Sequence, residues 1–287
     1  MLYLALSVLC SSLIFIVFKL YDTYKVQTLY AIVTNYVVAC MVGLFFNPTT
    51  VTITSLTQKP WFIGTALLGV LFILIFNIMG KSAQVNGVGV TSIATKMSLV
   101  IPVLFAVLVY KDSLSVFQII GIFLALGAVY FASVKKKGIH LNKNHIWLPI
   151  LVFIGSGIID TSIKFIQEAY LNDGEYPIFS STVFGAAAVS GFLFVGYRGI
   201  KTPLKINLKN VIGGICLGVP NYFSIYFLLK ALNNNQLNSS SVFTINNVAI
   251  VLFTTLLGIL LFKEKLSSKN ILGVILAILS IILVALF

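Results

Sequence analysis

The chain has 287 residues, 59% of them hydrophobic and only 9% charged, with a mean hydropathy of +1.05. Soluble domains carry about 25% charged residues, so a water-soluble globular fold is excluded. The net charge of +12 does not indicate nucleic acid. The basic residues lie in short clusters between apolar runs, and no basic segment carries the interleaved aromatics of a nucleic-acid module.

In chain order the apolar runs place spans at 2–20, 26–46, 61–80, 88–110, 114–134, 146–167, 176–197, 210–231, 238–262 and 267–287. Each is close to the roughly 20 residues that cross a hydrocarbon core at about 1.5 Å rise per residue. Backbone groups in lipid must be satisfied within their own segment, which makes these runs helices; the short alternating segments of a transmembrane barrel are absent. The first run starts at Leu2 without a basic n-region and reads as a retained span. Cys10, Cys40 and Cys216 sit inside apolar runs without metal-ligand spacing and read as small apolar residues. No metal or cofactor is expected.

The longest connections, Asn47–Pro60 and Lys135–His145, include one that divides the chain into five spans plus five. The two halves read as copies. Lys111, Asp112, Leu114, Ser115, Ile119 and Gly121 match Lys263, Glu264, Leu266, Ser267, Ile271 and Gly273 at one constant offset, which also pairs Gln84 with Gln236 and Asn86 with Asn238. At the front of each half, Ser11 and Lys19 match Ser156 and Lys164. The expected organisation is a first five-helix repeat at 1–134, a basic connecting loop at 135–145 and a second repeat at 146–287. An odd number of spans per repeat inverts the second copy in the membrane. The expected fold class is therefore an all-α integral membrane protein of ten transmembrane helices arranged as two inverted five-helix repeats.

Several passages carry a family resemblance. Cys10-Ser11-Ser12 is followed by Lys19, and Asn86-Gly87-Val88-Gly89-Val90-Thr91-Ser92 leads into a span with Pro102 and then Tyr110-Lys111-Asp112-Ser113-Leu114; Lys263-Glu264-Lys265-Leu266 repeats that junction. In these the whole chain resembles the drug/metabolite transporter superfamily, specifically the EamA-like group of ten-span transporters. The resemblance implies a ten-helix bundle whose central cavity is lined by spans 3, 4, 8 and 9, often with 1 and 6. Substrates in that superfamily range over amino acids, phosphorylated and nucleotide-linked sugars and drugs.

A charge at mid-bilayer costs about 2.5–3.5 kcal/mol on insertion scales, so it pairs or lines a cavity. Lys96 lies near the middle of span 4 with no carboxylate at i±3 or i±4 and Ser92 one turn before it; its counterpart in the second half is Val248. It reads either as the positive charge that receives a substrate carboxylate or phosphate, or as half of a structural ion pair. Asp160, Lys164 and Glu168 share one face of span 6. Asp160 reads either as a local partner of Lys164 or as a proton-coupling carboxylate or cavity partner of Lys96. Asn77, Asn221, Tyr222, Tyr226, Asn246 and Asn247 fall on the expected cavity spans as substrate-binding candidates, although intramembrane Asn also joins helices at about 0.6–2 kcal/mol. Pro102 and Pro220 are hinge candidates. The Gly185–Gly191 stretch, Gly214 with Gly218, and Gly155-Ser156-Gly157 permit close helix approach; a homodimer face through spans 5 and 10 is the alternative to packing within the chain.

The expected function is a secondary active transporter working by alternating access. Its substrate is a small polar, anionic or zwitterionic metabolite such as an amino acid or a phosphorylated or nucleotide-linked sugar. The alternatives are a membrane sensor or assembly subunit and an intramembrane enzyme. The enzyme is disfavoured because His140 and His145 share one loop, no HExxH occurs, and Asp160 is the one carboxylate well inside a span. No GxxxxGK[ST] occurs either. The expected partners are a small-molecule substrate and the lipid bilayer, not nucleic acid. Lys19, Lys25, Lys81, Lys135, Lys136, Lys137, Lys143, Arg198, Lys201, Lys205, Lys209, Lys263, Lys265 and Lys269 gather on one side; Lys59, Lys111, Lys164 and Lys230 lie on the other. The positive-inside rule then puts both termini outside a bacterial inner or plasma membrane.

Overall fold

The computed structural model describes residues 1–46, 56–110, 115–133, 145–171, 175–201, 207–232 and 239–286. The connecting residues 135–144 and the junction residues Lys111, Asp112 and Gln236 lie outside the described residues. Among the described residues eleven helices of ten or more residues follow one another: α1 Leu2–Thr23, α2 Thr28–Phe45, α3 Phe62–Asn86, α4 Val88–Met97, α5 Val100–Tyr110, α6 Val116–Ser133, α7 Trp147–Tyr170, α8 Tyr176–Lys201, α9 Leu208–Leu232, α10 Ser239–Phe262 and α11 Ser268–Leu286. Among the described residues there is no strand. Eight segments among the described residues are long and apolar enough to cross a membrane, with α4 and the start of α5 counted as one, and α6 and α11 are shorter apolar helices. The protein is therefore an all-helical, multi-pass integral membrane protein.

Two departures from hydropathy have local causes. The third span continues to Asn86, so that only Gly87 separates α3 from α4. Gln84 remains helical because its amide donates to Phe18 O (3.3 Å) and Thr28 Oγ1 (2.9 Å), while Asn86 donates to His145 O (3.2 Å). Gly87 makes the corner at φ 102, a conformation open to glycine and strained for any L side chain. The fourth span is not one helix but two. Pro102 has no N–H to give to Ser98 O four residues back; Ile101 N–H takes that carbonyl instead (2.9 Å), tightening the turn at Ser98 and Leu99 into a break. Pro220, by contrast, sits inside an unbroken α9.

Helix contacts come in matched pairs. α2 packs on α9 and α3 on α8; α1 packs on α9 and α3 on α7; α1 packs on α10 and α4 on α7; α10 packs on α11 and α4 on α6. Small residues set the closest crossings. A Cβ on Gly218 of α9 would come within 2.7 Å of Asn35 O on α2, and one on Gly69 of α3 within 2.6 Å of the Ala186 backbone on α8. Likewise a Cβ on Gly273 of α11 would meet Ala132 N of α6 at 2.6 Å, and Ser280 Oγ donates to Gly121 O (2.8 Å) across the same pair. These small-residue faces are thus used within the chain.

Candidate functional site

A cavity of about 290 Å³ lies at mid-depth among α1, α3, α4, α7, α9 and α10. It stands at the lower end of the roughly 300–1,000 Å³ range of small-molecule pockets. Its polar wall is Ser11, Thr95, Lys96, Ser156, Asp160, Asn221, Ser224 and Asn247; Ile14, Phe15, Phe72, Ile75, Phe76, Met79, Leu99, Ile159, Ile163 and Ile225 supply the apolar wall. Two larger recesses lie between helices at the end that carries Met1. One, of about 800 Å³, is lined wholly by apolar side chains of α1 and α10 together with Met1; the other, of about 420 Å³, is lined by aromatic and aliphatic groups of α3, α5 and α7 with Thr161 and Ser162. Neither contains a charged side chain, so the chemistry points to the central cavity.

The sequence brings the two charges there by different routes. Lys96 occupies the last turn of α4, just before the break that Pro102 creates. Its ammonium therefore stands near the negative end of a helix dipole, worth about 0.3–1 kcal/mol. Asp160 projects from the middle of α7. Its side chain is exposed and lines the same cavity as Lys96. They are not joined: among the described residues the ion pairs are Lys19–Glu264, Lys59–Glu175 and Lys164–Glu168. Asp160 instead accepts from Ser98 Oγ at 3.3 Å. That hydroxyl also points at Thr95 O at 2.5 Å, and having one proton it serves one acceptor at a time.

The remaining candidates separate by helix face. Asn221 and Asn247 line the cavity. Asn221 donates to Asn35 Oδ1 of α2 at 3.1 Å, and Asn35 is completely buried. Ser92 lies off the wall, bonded to Thr254 Oγ1 of α10 at 2.6 Å and to Gly89 O at 2.9 Å. Asn77 turns its amide back onto Ile73 O at 2.6 Å. Asn246 is buried, its Oδ1 without a partner among the described residues, and it does not line the cavity. Tyr222 and Tyr226 stack on each other, Tyr222 stacks on Phe46 beyond α2 and Tyr226 meets the same ring at a tilt, outside the cavity wall. Lys164 pairs with Glu168 at 3.7 Å and not with Asp160. Sequence reasoning passed over Asn35, Thr95 and Ser156. Ser156 is 6% exposed, and its hydroxyl on the cavity wall has no partner among the described residues.

The wall has a regularity. At the offsets that align the two halves, Ser11 corresponds to Ser156, Ile14 to Ile159, Phe15 to Asp160, Phe72 to Ser224 and Thr95 to Asn247, and both members of every pair line the cavity.

Comparison with known proteins agrees with this architecture. The EamA-like transporter family matches residues 143–286. An uncharacterized protein of Haemophilus influenzae (strain ATCC 51907 / DSM 11121 / KW20 / Rd) is 30% identical over 281 residues, covering 95% of this chain and 93% of its own length. A protein of known crystal structure superposes with a TM-score of 0.59 over 98% of this chain and 96% of that one, at 12% identity, a likeness of fold alone. The chain belongs to the EamA-like transporter family, within the drug/metabolite transporter superfamily, and is a membrane transporter.

Proposed function

We propose that the protein is a secondary transporter that carries a small anionic or zwitterionic metabolite through the central cavity by alternating access. The observation that carries this reading is Lys96, an ammonium on the cavity wall at membrane depth that has no ion pair among the described residues. Such a charge is costly in a bilayer unless something anionic or aqueous meets it. A substrate carboxylate or phosphate satisfies it, while Asp160 across the lumen receives a substrate ammonium or a coupling proton. Asn221, Asn247 and the cavity hydroxyls suit the remaining polar groups. Closed backbone breaks at membrane depth belong where they line a cavity, and the break beside Lys96 lies there.

The inverted five-plus-five arrangement is supported by the matched contacts, since exchanging each helix for the one five spans away turns α2–α9 into α8–α3 and α1–α10 into α7–α4. It is supported too by the paired wall residues, because a site on the symmetry axis keeps its lining in both access states. Counterflow in proteoliposomes against amino acids, phosphorylated sugars and nucleotide-linked sugars tests the reading: one class exchanges and the others do not. Unchanged transport of that substrate by Lys96→Gln removes the anion site.

The orientation follows the lysines, which gather where α1, α3, α8 and α10 end. We place that end in the cytoplasm of a bacterial inner membrane and both termini outside. A C-terminal reporter that works only in the cytoplasm should be silent; activity there reverses the assignment.

A further inference from the structure

We propose that Glu264 is the latch of a gate at the lysine-rich end of the bundle, holding that end closed by tying α1 and the α3–α4 corner to the α10–α11 connection. This rests on the alternating-access reading above.

Glu264 leaves α10 two residues after Phe262, where Lys263 adopts a left-handed φ of 52. A side chain in that region costs about 1–2 kcal/mol, and the turn it makes sends Glu264 N–H back to Gly258 O (3.1 Å). The carboxylate is thereby aimed across the bundle. Its Oε1 accepts Val88 N–H at the N-terminus of α4 (3.1 Å) and lies 3.9 Å from Lys19 Nζ near the end of α1. Both carboxylate oxygens press on Gly87, where a Cβ would come within 2.8 Å of either. Lys19 in turn donates to Gln84 O at 2.7 Å, and Gln84 holds Phe18 O and Thr28 Oγ1. One acidic side chain from the second half therefore joins three elements of the first. The two charged side chains are only 22% and 17% exposed, so solvent screens them less than it would a surface pair.

The repeat counterpart of Lys19 behaves differently. Lys164 meets Glu168 one turn further along its own helix, with both side chains nearly half exposed (46% and 47%), and among the described residues this ion pair stays within α7; Asp112, the counterpart of Glu264, lies outside the described residues. Equivalent lysines, one tied across the halves and one paired within its own helix among the described residues, are what one access state of a two-state bundle presents. The latch also bears on the cavity. α4 has ten residues, bounded by Gly87 and by the Ser98–Leu99 break, so its position is set by what holds its ends. Glu264 holds the first end; Lys96 is eight residues on, about 12 Å along the helix. Movement of the α4 N-terminus carries the cavity cation with it, and by linkage an anion on Lys96 biases the latch.

The test reads access without any substrate. In a chain with Cys10, Cys40 and Cys216 changed to Ala, Ser11→Cys places a thiol on the cavity wall. A membrane-impermeant methanethiosulfonate is then applied from each side in vesicles of both orientations. Glu264→Gln and Lys19→Gln should each raise the rate of modification from the lysine-rich side at least tenfold over the latched background. Glu264→Ala, which also removes the acceptor of Val88 N–H, should raise it further. Lys19→Gln leaves the α4 cap intact, so it guards against a folding defect in the Glu264 variants. Rates from that side that stay at the background value in both Gln variants overturn the latch. Raised rates in a protein that shows counterflow with no substrate class would instead overturn the transport reading and leave the gate standing.

Discussion

Replacing Lys96 with Met keeps most of the side chain's length and removes its charge, and the structure sets what this costs in two separate quantities. In the empty protein the ammonium carries an insertion penalty of about 2.5–3.5 kcal/mol. Against it stand the attraction of Asp160, about 2–4 kcal/mol for separations of roughly 8 down to 4 Å at an effective dielectric of about 20, and about 0.3–1 kcal/mol from the end of α4. These nearly cancel, so the empty variant should melt within a few degrees of the parent, at about 2–4 °C per kcal/mol. Substrate binding does not share this cancellation. Losing a charge-assisted hydrogen bond of about 1.5–3 kcal/mol weakens affinity roughly 10- to 150-fold. Thermal-shift titration of detergent-purified protein with the counterflow substrate reads both quantities in one experiment. A melting temperature that falls by more than about 10 °C with affinity unchanged would refute the reasoning, because it would make Lys96 half of a structural pair.

The same apparatus checks two packing predictions. Gly218→Leu drives a side chain into Asn35 O and Val38 at the α2–α9 crossing and should destabilise by about 1–3 kcal/mol, whereas Gly196→Ala, inside α8 with nothing within 4 Å of its Cβ, should leave the melting temperature unchanged or raise it by up to a few degrees through helix propensity; a fall as large as that of Gly218→Leu would deny that the α2–α9 contact is special. Asn221→Leu strands the completely buried Asn35 Oδ1 and should cost about 1–3 kcal/mol, and Asn35→Ala added to it should cost less than the sum; strict additivity would show that the two amides do not depend on each other.

How much of this was legible in the sequence depended on which physical force decided each point. That the chain is helical and crosses the membrane several times followed from the cost of unsatisfied backbone in lipid, a force that acts on composition and so is visible in it. Lys96 and Asp160 stood out for the same reason. Helix ends were less legible: α3 reaches Asn86 because Gln84 finds acceptors on α1 and α2, partners that only the assembled bundle supplies. Facing was least legible. In a helix apolar all round, periodicity does not say which side meets the lumen, and so Tyr222 and Tyr226, chosen for their hydroxyls, turn instead to Phe46. Asn35 carried the same intramembrane-amide signal as Asn221 but sits on α2, a span not expected to line the cavity. The paired wall residues were latent in the repeat offsets, and the cavity gave them meaning.

The break in the fourth span couples these levels, and Pro102→Ala isolates it. Alanine restores an N–H that can bond Ser98 O, worth about 0.5–1.5 kcal/mol net, and is intrinsically about 3 kcal/mol better than proline in a helix interior. A continuous helix through Ser98 then becomes the favoured form. That form has consequences for the site. Ile101 N–H loses its claim on Ser98 O, and α4 rotates relative to α5, which moves Thr95, Lys96 and Leu99 on the cavity wall. The empty variant should therefore melt at least as high as the parent while substrate affinity and turnover both fall, a stability gain bought with function. This opposition distinguishes a working break from a passive bend. A passive bend predicts that stability rises and transport stays the same, and that outcome would remove Pro102 from the mechanism while leaving Lys96 in it.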